Sequence, residues 1–157
     1  MYKERAAMNI LFVCTGNTCR SPMAEALMKK LAEEKGIQVN VRSAGIYALD
    51  GQRASEEAVH VMEEEGIDIS DHRANLLYRN LVEESHLILT MSRSHKEQLL
   101  SKYGFLKGKV FTLKEYAYSV EEDIEDPFGR SIRAYQKAKR EIKDALKEVI
   151  KRLEVDR

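Results

Sequence analysis

The stretch Asn9-Ile10-Leu11-Phe12-Val13-Cys14-Thr15-Gly16-Asn17-Thr18-Cys19-Arg20-Ser21-Pro22 decides how the chain is read. Its apolar run ends at Cys14 and has the length of a buried strand. Ser21-Pro22 offers a helix N-cap and a first-turn proline, so a helix is expected to follow. Between the two lies a short loop. A strand, a tight loop and a helix N-terminus together gather backbone N–H groups into one hollow, which suits an oxyanion such as phosphate. Gly16 is free to take a positive φ, and Arg20 brings a planar, permanently charged fork that can hold two phosphate oxygens.

The same features bear on Cys14. A free thiol has a pKa of about 8.5 and is mostly protonated at neutral pH. A helix N-terminus and a nearby guanidinium favour the anion and can bring such a thiol to roughly 4–7. Cys14 is therefore read as a thiolate nucleophile beneath a bound phosphorus atom. Packing alone would not call for an arginine and a glycine-bearing anion loop beside it.

Outward from this loop, strands and helices alternate. Met23, Leu27, Met28 and Leu31 repeat at helical spacing, and Gly36 ends that helix. Ile37, Val39 and Val41 alternate with polar residues as a second strand. Ser43-Ala44-Gly45 and Asp50-Gly51 read as loop, 55–65 as a helix, and 77–84 as a short helix. A third strand is expected over 87–91, then a helix from Ser92 or Ser94 with a capping box compatible with Ser94 and Glu97. A fourth strand is expected over 109–113, followed by an acidic, helix-poor stretch over 119–129. The last helix begins near Ser131, with Ile132, Tyr135, Ile142, Leu146, Val149 and Leu153 inward. Such alternation predicts an α/β fold, a parallel sheet covered by helices on both faces. Ligands bind beyond the carboxyl ends of such strands, where Cys14 falls.

The chain has 157 residues, a length that suits one domain. Met8 is a candidate start, with 1–7 as an extension and 8–157 as the domain. Lys plus Arg and Asp plus Glu number 26 each, so nothing suggests general attraction to nucleic acid or to an anionic membrane. No apolar run approaches spanning length. Two cysteines, Cys14 and Cys19, are too few for a secreted disulfide framework, and the four histidines are scattered rather than set at zinc-ligand spacing. A reduced, cytoplasmic protein using no metal and no cofactor is the expectation. Cys19 has two open readings: structural packing, or capture of an oxidised Cys14 as a reversible disulfide.

Protonating a leaving group needs an acid. Glu121, Glu122, Asp123, Glu125 and Asp126 all lie in the acidic stretch, and the residues alone do not choose among them.

The string Cys14-Thr15-Gly16-Asn17-Thr18-Cys19-Arg20-Ser21-Pro22 resembles the loop of the low-molecular-weight protein tyrosine phosphatase family, Cys-x-Gly-Asn-x-Cys-Arg-Ser-Pro. The likeness runs from Met8 onward and includes Arg42-Ser43-Ala44-Gly45 and Asp126-Pro127. It implies a flavodoxin-like single domain with a four-stranded parallel sheet in the order 2-1-3-4. It also implies a metal-free enzyme with phosphorylated protein substrates, in which Cys14, Arg20 and Asp126 are catalytic. Thr15, Gly16, Asn17, Thr18, Cys19 and Arg20 would bind phosphate. By the same resemblance Asp126 is the general acid and base, Asn17 and Ser43 bond each other, and Ser21 donates to the Cys14 thiolate. His72 falls where the family often has a loop-supporting histidine; a satisfied loop histidine is the other reading.

Tyrosine phosphatases of the family usually carry an apolar residue where this chain has Thr18, and commonly two aromatics after Asp-Pro. Here only Phe128 follows Asp126-Pro127. Thr18, Asp126-Pro127-Phe128-Gly129 and the stretch from Val110 to Tyr116 are similar to the bacterial protein-arginine phosphatases within the family. Phosphoarginine hydrolysis is thus the leading expectation, with Thr18 and Phe128 setting selectivity, and phosphotyrosine hydrolysis by the same mechanism is the alternative. An arsenate reductase with a similar loop needs redox cysteines downstream, and none follows Cys19. A non-catalytic phosphoresidue-binding module would not need nucleophile, arginine and acid together.

Overall fold

The computed structural model describes residues 7–156; the extension expected over 1–7 lies, apart from Ala7, outside the described residues. Strand β1 (Met8–Cys14) leads through the loop into α1 (Arg20–Lys35), then β2 (Val39–Gly45) and α2 (Glu56–Glu63). Next come α3 (Arg79–Glu84), β3 (Leu87–Thr90), α4 (Arg93–Lys102), a 3-10 turn at Gly104–Leu106, and β4 (Val110–Thr112). Two helices close the chain, α5 (Leu113–Tyr118) and α6 (Ile132–Asp156).

The four strands are all parallel in the order β2-β1-β3-β4, the order implied by the family resemblance. β1 is central and its side chains alternate between two cores. Ile10, Phe12 and Cys14 face a core shared with α1, α2, α5 and α6, while Leu11 and Val13 face one built with Leu81, Val82, Leu99 and Leu106. Burial on both faces explains why β1 reads as an unbroken apolar run rather than an alternating one. The sheet's carboxyl edge thereby presents Cys14 between the ends of β2 and β3.

Several boundaries differ from the sequence expectation. Ser43-Ala44-Gly45, expected as loop, completes β2 and pairs with Phe12, Val13 and Cys14. Ladder pairing with a buried neighbour outweighs the turn tendency of these small residues. α1 begins at Arg20 with Cys19 as N-cap, because the Ser21 hydroxyl is engaged by Cys14 and Asn17 instead of capping. Pro22 still falls in the first turn, where its missing N–H costs nothing. Ser92 caps α4 by accepting from the His95 N–H, so the Ser94–Glu97 box does not form. A true capping box joins Thr112 and Glu115 and starts α5, which takes Leu113 from the expected fourth strand and fills the gap before the acidic stretch. Ile132, expected inward, is 36% exposed beside the exposed turn at 128–131.

Candidate active site

The loop from Cys14 to Arg20 is tied down by its carbonyls. Those of Cys14, Thr15 and Thr18 accept from the backbone N–H groups of Ile46 (3.0 Å), Tyr47 (2.9 Å) and Ser55 (2.9 Å). That of Asn17 accepts from the His72 Nε2–H at 2.8 Å. In a trans peptide the N–H points opposite to the C=O. Four outward carbonyls therefore turn the N–H groups of Thr15, Gly16, Thr18 and Cys19 inward, toward one hollow. The positive φ expected at Gly16 falls instead on Asn17, which makes this curvature possible with a left-handed φ of 56°, a conformation that asparagine tolerates better than most residues.

The hollow has a volume of about 200 Å³ and is lined by Cys14, Thr15, Gly16, Thr18, Cys19, Arg20, Gln52, Asp126 and Phe128. At its floor Cys14 is 3% exposed, and its sulfur lies 2.8 Å from Ser21 Oγ and accepts from the Asn17 N–H at 3.3 Å. Two influences oppose each other there. Burial pushes the Cys14 thiol up, while the Ser21 hydroxyl, the Arg20 guanidinium and the backbone N–H groups of Ser21 and Asn17 favour the anion. The sequence points only to the second influence; burial, which it does not show, is the larger of the two.

Arg20 is buried, and its Nη1 donates to the Ile124 carbonyl at 2.7 Å, while Nη2 lies 3.6 Å from Asp126 Oδ2. Ile124 in turn donates its N–H to the Met91 carbonyl at the end of β3 (2.8 Å), and the Asp123 carboxylate accepts from the Arg93 N–H at the start of α4 (2.8 Å). The acidic stretch is thus pinned at two points immediately before Asp126. Among its five acidic residues, only Asp126 lines the hollow. Asp126 Oδ1 accepts from the Phe128 N–H at 3.1 Å, and Phe128 stands 67% exposed at the mouth.

Around the floor, Asn17 Nδ2 donates to Ser43 Oγ (2.9 Å) and to Ser21 Oγ (2.8 Å). Cys19 Sγ is within 3.3 Å of the Tyr135 hydroxyl and 3.5 Å of Ser55 Oγ, and both cysteines are free thiols. Among the described residues, no group of three or more His, Cys, Asp or Glu side chains is placed to hold a metal ion.

Two neighbours escaped the sequence reading. His95 is buried with Nε2 2.9 Å from Thr15 Oγ1 and Nδ1 2.8 Å from Ser92 Oγ. Burial first, and the Arg20 charge second, lower its pKa to about 4, so it supports the loop as a neutral ring. Gln52 lines the hollow with its backbone bonded to Leu49 and Ala74. Neither carries a local signal; both are brought in by long-range contacts.

This geometry sets a thiol, inward-turned N–H groups, a guanidinium and a carboxylate around one hollow. Residues 9–157 match the model of the low molecular weight phosphotyrosine protein phosphatase family. The chain belongs to that family. It is 45% identical over 150 residues to a protein-arginine-phosphatase of Bacillus subtilis, covering 96% of this chain and 99% of that one. It is 42% identical over 129 residues to a low molecular weight protein-tyrosine-phosphatase of Staphylococcus haemolyticus, covering 82% and 88%. Among solved structures it is similar to the YwlE arginine phosphatase, as a Cys-to-Ser mutant with a phosphorylated active-site serine. That likeness has a TM-score of 0.92 at 45% identity, over 96% of this chain and 98% of that one. No helix among the described residues is long and apolar enough to cross a membrane.

Proposed function

We propose that this chain is a metal-independent, cysteine-dependent protein phosphatase that hydrolyses phosphoarginine. The observation that carries the substrate class is Thr18, whose polar side chain lines the hollow where tyrosine phosphatases of the family usually place an apolar one. A phosphoguanidinium is planar and polar, and its N–H groups need acceptors. A threonine hydroxyl beside the phosphate can accept one of them or orient a water, which an isoleucine cannot. The named protein-arginine-phosphatase relatives support this reading.

In the first step the Cys14 sulfur attacks phosphorus, the P–N bond breaks, and Asp126 gives its proton to the departing guanidine nitrogen. The loop N–H groups and Arg20 stabilise the charge on the three equatorial oxygens. In the second step Asp126, now a carboxylate, takes a proton from water as that water attacks the thiophosphate, returning the Cys14 thiolate and inorganic phosphate. Asn17, Ser21, Ser43 and His72 hold the loop in its strained shape. The catalytic domain in this reading spans 8–157, acts on phosphorylated proteins, and works in a reducing, cytoplasmic setting that keeps Cys14 as a thiol.

Phe128 favours a second reading, since its exposed ring at the mouth can flank a phosphotyrosine ring. A comparison of kcat/KM on phosphoarginine and phosphotyrosine peptides tests the proposal. The arginine reading expects the phosphoarginine value to be the larger; a preference for phosphotyrosine replaces it with the second reading.

A further inference from the structure

The hydrogen bonds beneath Cys14 continue past Ser43 to a carboxylate. Ser43 Oγ donates to Glu25 Oε1 at 2.5 Å, and Glu25 Oε2 accepts from Lys29 Nζ at 2.7 Å. Glu25 lies one turn along α1 from Ser21, with its side chain 19% exposed. Counting protons fixes the direction of every bond in the chain. Asn17 Oδ1 accepts from the Asn75 N–H at 2.8 Å, so its Nδ2 faces the two serines. Its two N–H bonds go to Ser21 and Ser43, which fills an acceptor site on each hydroxyl. Each serine must then send its own proton elsewhere: Ser43 to Glu25, and Ser21 to the Cys14 sulfur at 2.8 Å.

The reverse polarity has both serines donating to an Asn17 side-chain oxygen turned toward them. Ser21 would then withhold its proton from Cys14, and Asn17 Nδ2 would face the Asn75 N–H, donor against donor. The observed polarity is therefore secured at one end by the Asn75 amide and at the other by the Glu25 carboxylate. We propose that Glu25 is a positioning residue for the nucleophile: by accepting the Ser43 proton, it keeps the Ser21 proton directed at the Cys14 sulfur. This rests on Cys14 as the nucleophile, not on which phosphoresidue is cleaved.

The test is the pH dependence of Cys14 alkylation by iodoacetamide, with the adduct located by peptide mass spectrometry and folding checked by circular dichroism. Glu25→Leu removes the acceptor, and its alkylation profile is expected to move upward by about half a pH unit or more, because the thiolate loses a donor. Glu25→Gln keeps an acceptor oxygen, and a smaller upward shift is expected. If Glu25 acts through Ser43, Ser43→Ala combined with Glu25→Leu titrates no further than Ser43→Ala alone. In turnover, kcat falls while KM stays near the parent value, since the loop N–H groups and Arg20 are untouched. An unchanged profile in folded Glu25→Leu, or shifts that add in the double variant, overturns the proposal. Should Glu25→Leu fail to fold, the same cycle with Glu25→Gln decides: a shift abolished in the Ser43→Ala background supports it, and no shift overturns it. Because alkylation needs no substrate, failure of the phosphoarginine reading leaves this result standing, and the converse holds too.

Discussion

Gly45 lies directly under the loop from Cys14 to Arg20: a β-carbon there would stand 2.6 Å from the Thr15 carbonyl oxygen and 2.8 Å from the Asn17 nitrogen. Both are backbone atoms and cannot rotate away, so any side chain at this position must push the loop. Gly45 is also the last pair of the β1–β2 ladder, opposite Cys14. The strand end and the loop are therefore fitted to each other by the absence of one carbon atom. Gly45→Ala is expected to fold, since the ladder is intact, but to displace the inward N–H groups. Misplacement on this scale can cost about a hundredfold in kcat/KM. A folded Gly45→Ala protein with kcat/KM within threefold of the parent would show that the loop tolerates the shift.

Cys14→Ser tests the division of labour in the hollow. The N–H ring and Arg20 remain, so competitive binding of inorganic phosphate should persist, while turnover should fall by about a thousandfold or more because a serine hydroxyl is scarcely ionised there. Chelators should leave the parent's rate unchanged. Residual activity within tenfold of the parent would remove Cys14 from the role of nucleophile.

How much of this was legible depended on whether the signal was local. The strand–loop–helix around Cys14 was legible because its residues are contiguous, although the positive φ falls on Asn17 rather than Gly16 and the Ser21 hydroxyl serves Cys14 rather than the helix cap. Ser43-Ala44-Gly45 misled because turn propensity favours loop, whereas all three pair with β1 and the missing side chain of Gly45 serves the close approach of the loop above it. Thr112 and Glu115 carry the capping-box spacing in plain view, yet the strand before them and the acidic run after them hid a six-residue helix. The contact of His95 with Thr15 spans 80 positions, and nothing near either residue announces it. Choosing Asp126 among five acids likewise needed the family resemblance at first, and the pinning of Ile124 and Asp123 supplies the physical reason.

His95 makes stability depend on pH in a predictable direction. Its pKa is lowered from 6.5 to about 4, by burial and then by Arg20, with Asp123 and Asp126 opposing. The unfolded chain therefore binds a proton in a range where the folded one does not. The contribution of the neutral ring is fully present above about pH 6.5 and is lost progressively as pH falls toward about 4. His95→Gln offers polar atoms to Thr15 and Ser92 but cannot titrate. Melting temperatures of parent and variant should diverge through this window, the parent falling more steeply. Carboxylates such as Glu65, held low by Lys143, weaken both proteins equally at lower pH and drop out of the difference. Parallel curves would show that His95 does not titrate differently on unfolding.

Thr18→Ile carries the most information about substrate choice. Thr18 is 8% exposed and lines the hollow next to Cys19, with Asp126 and Phe128 lining the same space. Replacing it removes a hydroxyl and adds apolar surface at the same point. For phosphoarginine, a guanidinium N–H left without its acceptor costs about 1–3 kcal/mol, or about one to two orders of magnitude in kcat/KM. For phosphotyrosine, the added surface meets an aromatic ring and is neutral or favourable. The two effects push the selectivity ratio in one direction, so the ratio is a sharper reading than either rate. Asp126 can also accept from the guanidinium, which limits the fall without changing its sign. A ratio that moves at least tenfold toward phosphotyrosine supports Thr18 as the discriminating residue. A change of less than about threefold transfers that role to other parts of the rim, with Gln52 the next side chain to replace.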